Sequence, residues 1–198
     1  MNINANTGLL DIARQEPSAN HDERPKPEDL SLIVVHNISL PPGKFGGPYI
    51  DALFTNQLDP EEHPYFSEVY KMKVSSHLLI RRDGEVVQYV PFHKRAWHAG
   101  ESSYAGRECC NDFSIGIELE GSDDVSYTDV QYKKLENVVV CLLQAYPGLS
   151  SKRIVGHCDI APGRKTDPGP VFDWARLSDG LNLNTRTQEG DLHKPLVP

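Results

Sequence analysis

Apolar and polar positions alternate in several short stretches of the chain and recur at helical spacing in others, and each change of period marks an element. Leu32-Ile33-Val34-Val35-His36 is a β-branched apolar run, closed by Asn37 and then by Pro41-Pro42, which predicts a buried strand. Ile50, Leu53, Phe54 and Leu58 fall on one side of a helical wheel, predicting an amphipathic helix from Ile50 to Leu58. Ser76 to Arg82 and Val86 to Val90 flank an Asp83-Gly84 turn and predict a β-hairpin. From Phe113 to Glu120 the alternation is strict: Phe113, Ile115, Ile117 and Leu119 face one way, Ser114, Gly116, Glu118 and Glu120 the other. Thr128 to Gln131 has the form of a capping box. A stripe of Leu135, Val138, Val139 and Leu142 follows it and stops near Pro147-Gly148. Ile154-Val155-Gly156-His157 predicts a last short strand. This order predicts a single α/β domain with a central mixed β-sheet flanked by α-helices. The sheet must be mixed because the hairpin demands one antiparallel pair.

Outside the patterned middle, residues 1–30 are polar, with Pro17, Pro25 and Pro27, and read as an N-terminal lead. Residues 179–198 lack an apolar stripe and read as a tail. A length of 198 residues suits one domain. Lys and Arg number 20 against 28 Asp and Glu, and the resulting charge of −8 argues against a nucleic-acid partner. The longest apolar run, Val138 to Leu143, is far short of the roughly 20 residues of a membrane helix. The first thirty residues carry Asp11, Glu16 and Asp22 and no apolar signal core, so the expectation is a cytoplasmic protein without a membrane anchor. None of Cys109, Cys110, Cys141 and Cys158 forms a CxxC pair and two are adjacent, which fits free thiols in a reducing compartment.

Two of the eight histidines, His36 and His157, sit where predicted strands end, the place where α/β proteins collect ligands. A catalytic zinc needs three protein ligands and a free position, and a carboxylate from the loop after His157 would complete such a set. Asp159 lies too close in sequence to bind easily beside His157. Asp167, held between Thr166 and Pro168, is the better candidate. A single His more often serves as a hydrogen-bonded structural group, and neither an HExxH motif nor a compact Cys/His cluster selects among the eight. Glu118 or Glu120 could act as general base beside a metal, or both could lie on a solvated face. Lys165, two residues before Asp167, could steady an oxyanion or be an ordinary surface lysine. Trp97 offers an aromatic surface on which sugars and peptides stack, or is simply core.

Longer motifs narrow these choices. Val35-His36-Asn37-Ile38-Ser39-Leu40-Pro41-Pro42-Gly43, Arg95-Ala96-Trp97-His98-Ala99-Gly100, Asn111-Asp112-Phe113-Ser114-Ile115-Gly116-Ile117-Glu118-Leu119-Glu120-Gly121, Gly156-His157-Cys158-Asp159-Ile160-Ala161-Pro162 and Arg164-Lys165-Thr166-Asp167-Pro168-Gly169 occur in this order. Together they resemble the motifs of AmpD-type N-acetyl-anhydromuramoyl-L-alanine amidases. The resemblance implies one zinc amidase domain over residues 8–178, with 1–7 and 179–198 as tails. It implies one Zn2+ per chain held by His36, His157 and Asp167, Glu118 as the base that activates water there, and Lys165 as stabiliser of the tetrahedral intermediate. It further implies an anhydro-muropeptide substrate contacted by Asn37, Lys73, Trp97, Arg107 and Ala161, a cytoplasmic monomer, and a role in cell-wall recycling that bears on β-lactamase induction. Where relatives can carry arginine toward the stem-peptide carboxylates, Lys73 keeps the charge and loses the bidentate fork.

Overall fold

The computed structural model describes residues 1–191, with side-chain surroundings through residue 182. In chain order the strands and helices are β1 (Ile3–Asn4), β2 (Leu9–Leu10), β3 (Arg14–Gln15), β4 (His21–Glu23), β5 (Leu32–Ile38), α1 (Tyr49–Phe54), α2 (Phe66–Val69), β6 (Leu78–Ile80), β7 (Val86–Gln88), β8 (Lys94–Ala96), β9 (Ser103–Tyr104), β10 (Arg107–Glu108), β11 (Ser114–Glu120), α3 (Asp129–Ala145), β12 (Ile154–Gly156), α4 (His157–Ile160) and α5 (Trp174–Asp191). Six strands form the central sheet in the order β12-β5-β11-β6-β7-β3. Pairing is parallel from β12 through β5 and β11 to β6, antiparallel within the β6–β7 hairpin, and parallel again at β3. The predicted single α/β domain with a mixed sheet is the architecture observed.

The alternation along β11 separates two buried faces. Ile115, Ile117 and Leu119, with Ile33 and Val35 of β5, pack under Leu135, Val138, Val139 and Leu142 of α3 and Leu177 and Leu181 of α5. On the opposite face Leu32 and Val34 meet Ala99, Cys110 and Ile160, while Leu79 and Val87 meet the α1 residues Ile50, Leu53 and Phe54. All seven residues of β11 are therefore buried, its two glutamates included. Phe113 departs from the predicted face. It precedes the strand, closing a tight turn at Cys110–Asp112, and packs with Leu32 and Val34 on the far side of the sheet.

Local chemistry sets the element ends. Thr128 accepts from the Gln131 amide at 3.2 Å and Gln131 Oε1 accepts from the Thr128 amide at 3.1 Å, the predicted capping box at the start of α3. Gln131 Nε2 also donates to the carbonyls of Ile80 and Glu120, so the same residue ties the helix to β6 and β11. The helix predicted over Ile50–Leu58 stops at Phe54, because Asn56 turns left-handed at φ 61°, yet Leu58 is still buried.

Both flanks carry more structure than their composition signals. β1 pairs with β2, β3 joins the sheet edge and β4 pairs with β8, so the 1–7 stretch is partly paired backbone. α5 continues through residue 179 to Asp191 and buries Leu181, so residues 179–191 are helical; residues 192–198 of the expected tail lie outside the described residues. Arg24 anchors the lead. It is 3% exposed and donates to the carbonyls of Phe92, Asn111, Asp112 and Ser114. Burial lowers its pKa to about 10, which leaves it charged at neutral pH. Each buried carbonyl stripped of its donor costs about 1–3 kcal/mol, so Arg24→Leu is expected to lose roughly 3 kcal/mol or more in urea denaturation. An unchanged midpoint would show that the lead is held by something else.

Candidate active site

Parallel strands β12, β5 and β11 lie side by side and deliver their carboxyl ends to one place, where open α/β sheets bind ligands. His36 of β5 stands in register with Glu118 of β11, and His157 follows directly on β12. Asp167 arrives from the loop after α4, which is clamped at several points. The Asp167 carbonyl accepts from the Cys158 amide at 2.9 Å, and the Tyr127 hydroxyl donates to the Pro168 carbonyl at 2.7 Å. Gly169, at φ 81°, lies so close to Asp123 that an added Cβ would stand 2.4 Å from its Cα.

These elements bring three donor atoms together. His36 Nδ1 and His157 Nδ1 are 3.0 Å apart, and each lies 3.0–3.1 Å from Asp167 Oδ2. His157 Nε2 faces the Ala99 carbonyl at 3.1 Å. A carbonyl only accepts, so Nε2 carries a proton, which leaves Nδ1 as the nitrogen able to offer a lone pair to a cation. Burial holds the His36 pKa down at about 4 against the pull of Asp167, so this imidazole is neutral at pH 7. Two imidazole nitrogens and a carboxylate facing one another are favourable around a cation. The N,N,O donor set suits zinc, and the separations are close to the roughly 3.3 Å between two ligands of a tetrahedral metal at ~2.0 Å. Among the described residues no other group of His, Cys, Asp and Glu gathers in this way.

The triad opens on a cavity of about 350 Å³ that is also lined by Glu118, Lys165, Asn37 and Trp97. Glu118 is 8% exposed and its Oε2 has no hydrogen-bond partner. Burial and the nearby Asp167 charge push its pKa well above the usual carboxylate range, with Lys165 opposing. Glu120 is engaged elsewhere. Its Oε1 accepts from the Gly46 amide and Arg81, and its Oε2 from the Arg82 amide. Of the two carboxylates on this face, only Glu118 is free to work in the cavity.

The remaining sequence candidates divide. Asn37 and Trp97 sit in the cavity wall, held by Asp123 at 2.8 Å and Asp22 at 3.2 Å. Lys73 is exposed between Met72 and Val74, which line the cavity although it does not. Arg107 lies 3.9 Å over the Phe113 ring and pairs with Asp29 at 3.2 Å. Ala161 lines a different pocket, beside Cys109 and Arg164. Asp159, the rejected ligand, accepts from the Gly156 amide at 2.7 Å and caps α4. Sequence reasoning missed the apolar wall formed by Leu53, Phe54, Tyr65, Val69 and Met72. It also missed a contact of 2.9 Å between His98 and the outer nitrogen of His36.

Comparison with known proteins gives consistent matches. Residues 26–170 match the family described as N-acetylmuramoyl-L-alanine amidase. The 1,6-anhydro-N-acetylmuramyl-L-alanine amidase AmpD of Escherichia coli K12 is 64% identical over 170 residues, covering 86% of this chain and 92% of that protein. The crystal structure of a selenomethionine AmpD derivative superposes with a TM-score of 0.88 at 60% identity, covering 91% of this chain and 99% of the other. The amidase AmiD of E. coli, in complex with anhydro-N-acetylmuramic acid-L-Ala-D-γ-Glu-L-Lys, matches with a TM-score of 0.55 at 28% identity, covering 77% of this chain and 57% of that one.

Proposed function

The chain belongs to the N-acetylmuramoyl-L-alanine amidase family, and on that premise we propose that it hydrolyses the amide between 1,6-anhydro-N-acetylmuramic acid and the L-alanine of muropeptides, as a monomeric zinc enzyme of cell-wall recycling in the cytoplasm. One observation carries the reading: three convergent electron-pair donors, His36, His157 and Asp167, share a cavity with a buried carboxylate that has no partner of its own.

Zinc held by the triad would polarise the scissile carbonyl and lower the pKa of a bound water toward about 7. Glu118 takes a proton from the attacking water, a task suited to a carboxylate whose pKa burial has raised. It then returns that proton to the departing alanine nitrogen. Lys165, on the same cavity wall, supplies positive charge to the oxygen that becomes anionic as the lactyl carbonyl turns tetrahedral. Trp97 and the apolar wall from α1 and α2 receive the uncharged parts of the substrate. The substrate carries several carboxylates and the chain is −8, so a local cation at the cavity must offset the acidic surface.

Dialysis against a strong chelator is expected to remove one zinc per chain and all turnover of a defined anhydro-muropeptide, with activity restored by one equivalent of zinc. Mass spectrometry of the products should show free L-alanyl peptide and anhydro-N-acetylmuramic acid. Full-rate cleavage by metal-stripped protein would overturn the zinc reading, and a preference for intact sacculi would overturn the recycling substrate.

A further inference from the structure

The zinc reading leaves open how His36 is made to present the right nitrogen, and a chain of hydrogen bonds behind it answers that question. Ser114 Oγ lies 2.5 Å from the Cys110 carbonyl, which can only accept, so the single hydroxyl proton of Ser114 points there. The lone pairs of Ser114 Oγ then face His98 Nε2 at 3.1 Å, so Nε2 must be the protonated nitrogen of His98. His98 Nδ1 is left as an acceptor 2.9 Å from His36 Nε2, which therefore donates. With its proton on Nε2, His36 turns a bare Nδ1 toward His157 and Asp167. Every step runs in one direction because the chain ends on a carbonyl.

The site is built to hold this relay. Gly116 of β11 leaves the space that the His98 ring occupies; a Cβ there would stand 2.4 Å from His98 Cγ. Asn111 Oδ1 accepts from the amides of both His98 and Ala99, at 3.1 and 2.8 Å. One side-chain amide thus pins the segment that supports His36 through the His98 ring and His157 through the Ala99 carbonyl. Groups behind a metal's ligands fix tautomer and orientation, and losing one typically lowers metal affinity 10- to 100-fold.

We propose that His98 and Ser114 are positioning residues that lock His36 in the Nε2–H tautomer and so deliver Nδ1 to the metal. The inference rests on the zinc reading of the His36–His157–Asp167 triad. In the metal-free protein, nitrogen-15 NMR of the imidazoles should find His36 protonated at Nε2. Zinc affinity, measured by competition with a chromophoric chelator, should fall about 10- to 100-fold in Ser114→Ala, with His36 moving toward the Nδ1–H form. His98→Asn places a carbonyl oxygen near the former Nδ1, an acceptor that needs no serine behind it. Its zinc affinity should exceed that of His98→Leu, and adding Ser114→Ala to it should cost nothing further. A role in packing alone predicts equal losses for the Asn and Leu variants and additive losses for the pair. If Ser114→Ala does not fold, the wild-type tautomer and the Asn–Leu comparison decide the matter. A protein that binds zinc but shows His36 as Nδ1–H, an unweakened Ser114→Ala, or additive losses overturns this inference alone. A wild-type protein that takes up no zinc overturns the metal assignment, and this inference with it.

Discussion

Asp167→Ala is expected to lose zinc and activity together. Asp167 supplies the one negative charge in the triad, and its oxygen lies 3.0–3.1 Å from both imidazole nitrogens. Without it, two neutral nitrogens remain, a poor site for a divalent ion. A metal that polarises the carbonyl and activates water supplies several kcal/mol of transition-state stabilisation, so turnover should drop by about a thousandfold or more. The fold should persist, because the loop carrying residue 167 is anchored through its backbone carbonyls, that of Asp167 accepting from the Cys158 amide and that of Pro168 from the Tyr127 hydroxyl. Metal analysis and single-substrate kinetics on the same preparation test this. Retained zinc or retained turnover would remove Asp167 from the ligand set.

Glu118→Gln separates metal binding from proton transfer. It is expected to keep one zinc per chain while kcat falls by about 10²–10⁴-fold, the usual worth of a positioned general base. Glutamine has the same shape and is not charged, so the burial that disfavours the Glu118 carboxylate no longer opposes it. Stability in denaturant should therefore equal or exceed that of the wild type. Loss of zinc in this variant, or near-normal kcat, would contradict the assignment of the base.

The two predictions concern residues whose legibility in the sequence differed. His36 and His157 could be placed by local pattern because each adjoins a short β-branched run, and strand ends are where α/β sheets expose chemistry. Asp167 could be preferred to Asp159 on local grounds, since Asp159 lies too close to His157 to bind easily beside it and Asp167 is stiffened by Pro168, and the long motif pointed the same way. Glu118 and Glu120 were indistinguishable by period, as they share a strand face. What divides them is the partner each finds far away in sequence, Gly46 and Arg81 for Glu120 and none for Glu118 Oε2. The sheet, the hairpin and α3 were readable because their periodicity or turn chemistry is local. The pairings made by β1 through β4 were not, because strands of two or three residues carry no period and Arg24 is buried by carbonyls from distant segments. α5 escaped for a related reason: its sequence has few apolar positions, and Leu177 and Leu181 join the core cluster of α3 while Arg176 reaches Asp129 and the Tyr132 ring.

The spacing of the triad along the chain bears on how the protein is made. His36 is ready early, but both of its companions fall in the last quarter of the sequence. A polypeptide emerging from the ribosome holds a single imidazole of the set until almost all of it has been synthesised. On the zinc reading, capture of the ion by this triad would be deferred until the far end has folded back across β5, because chains ending before residue 157 lack two of its three donors.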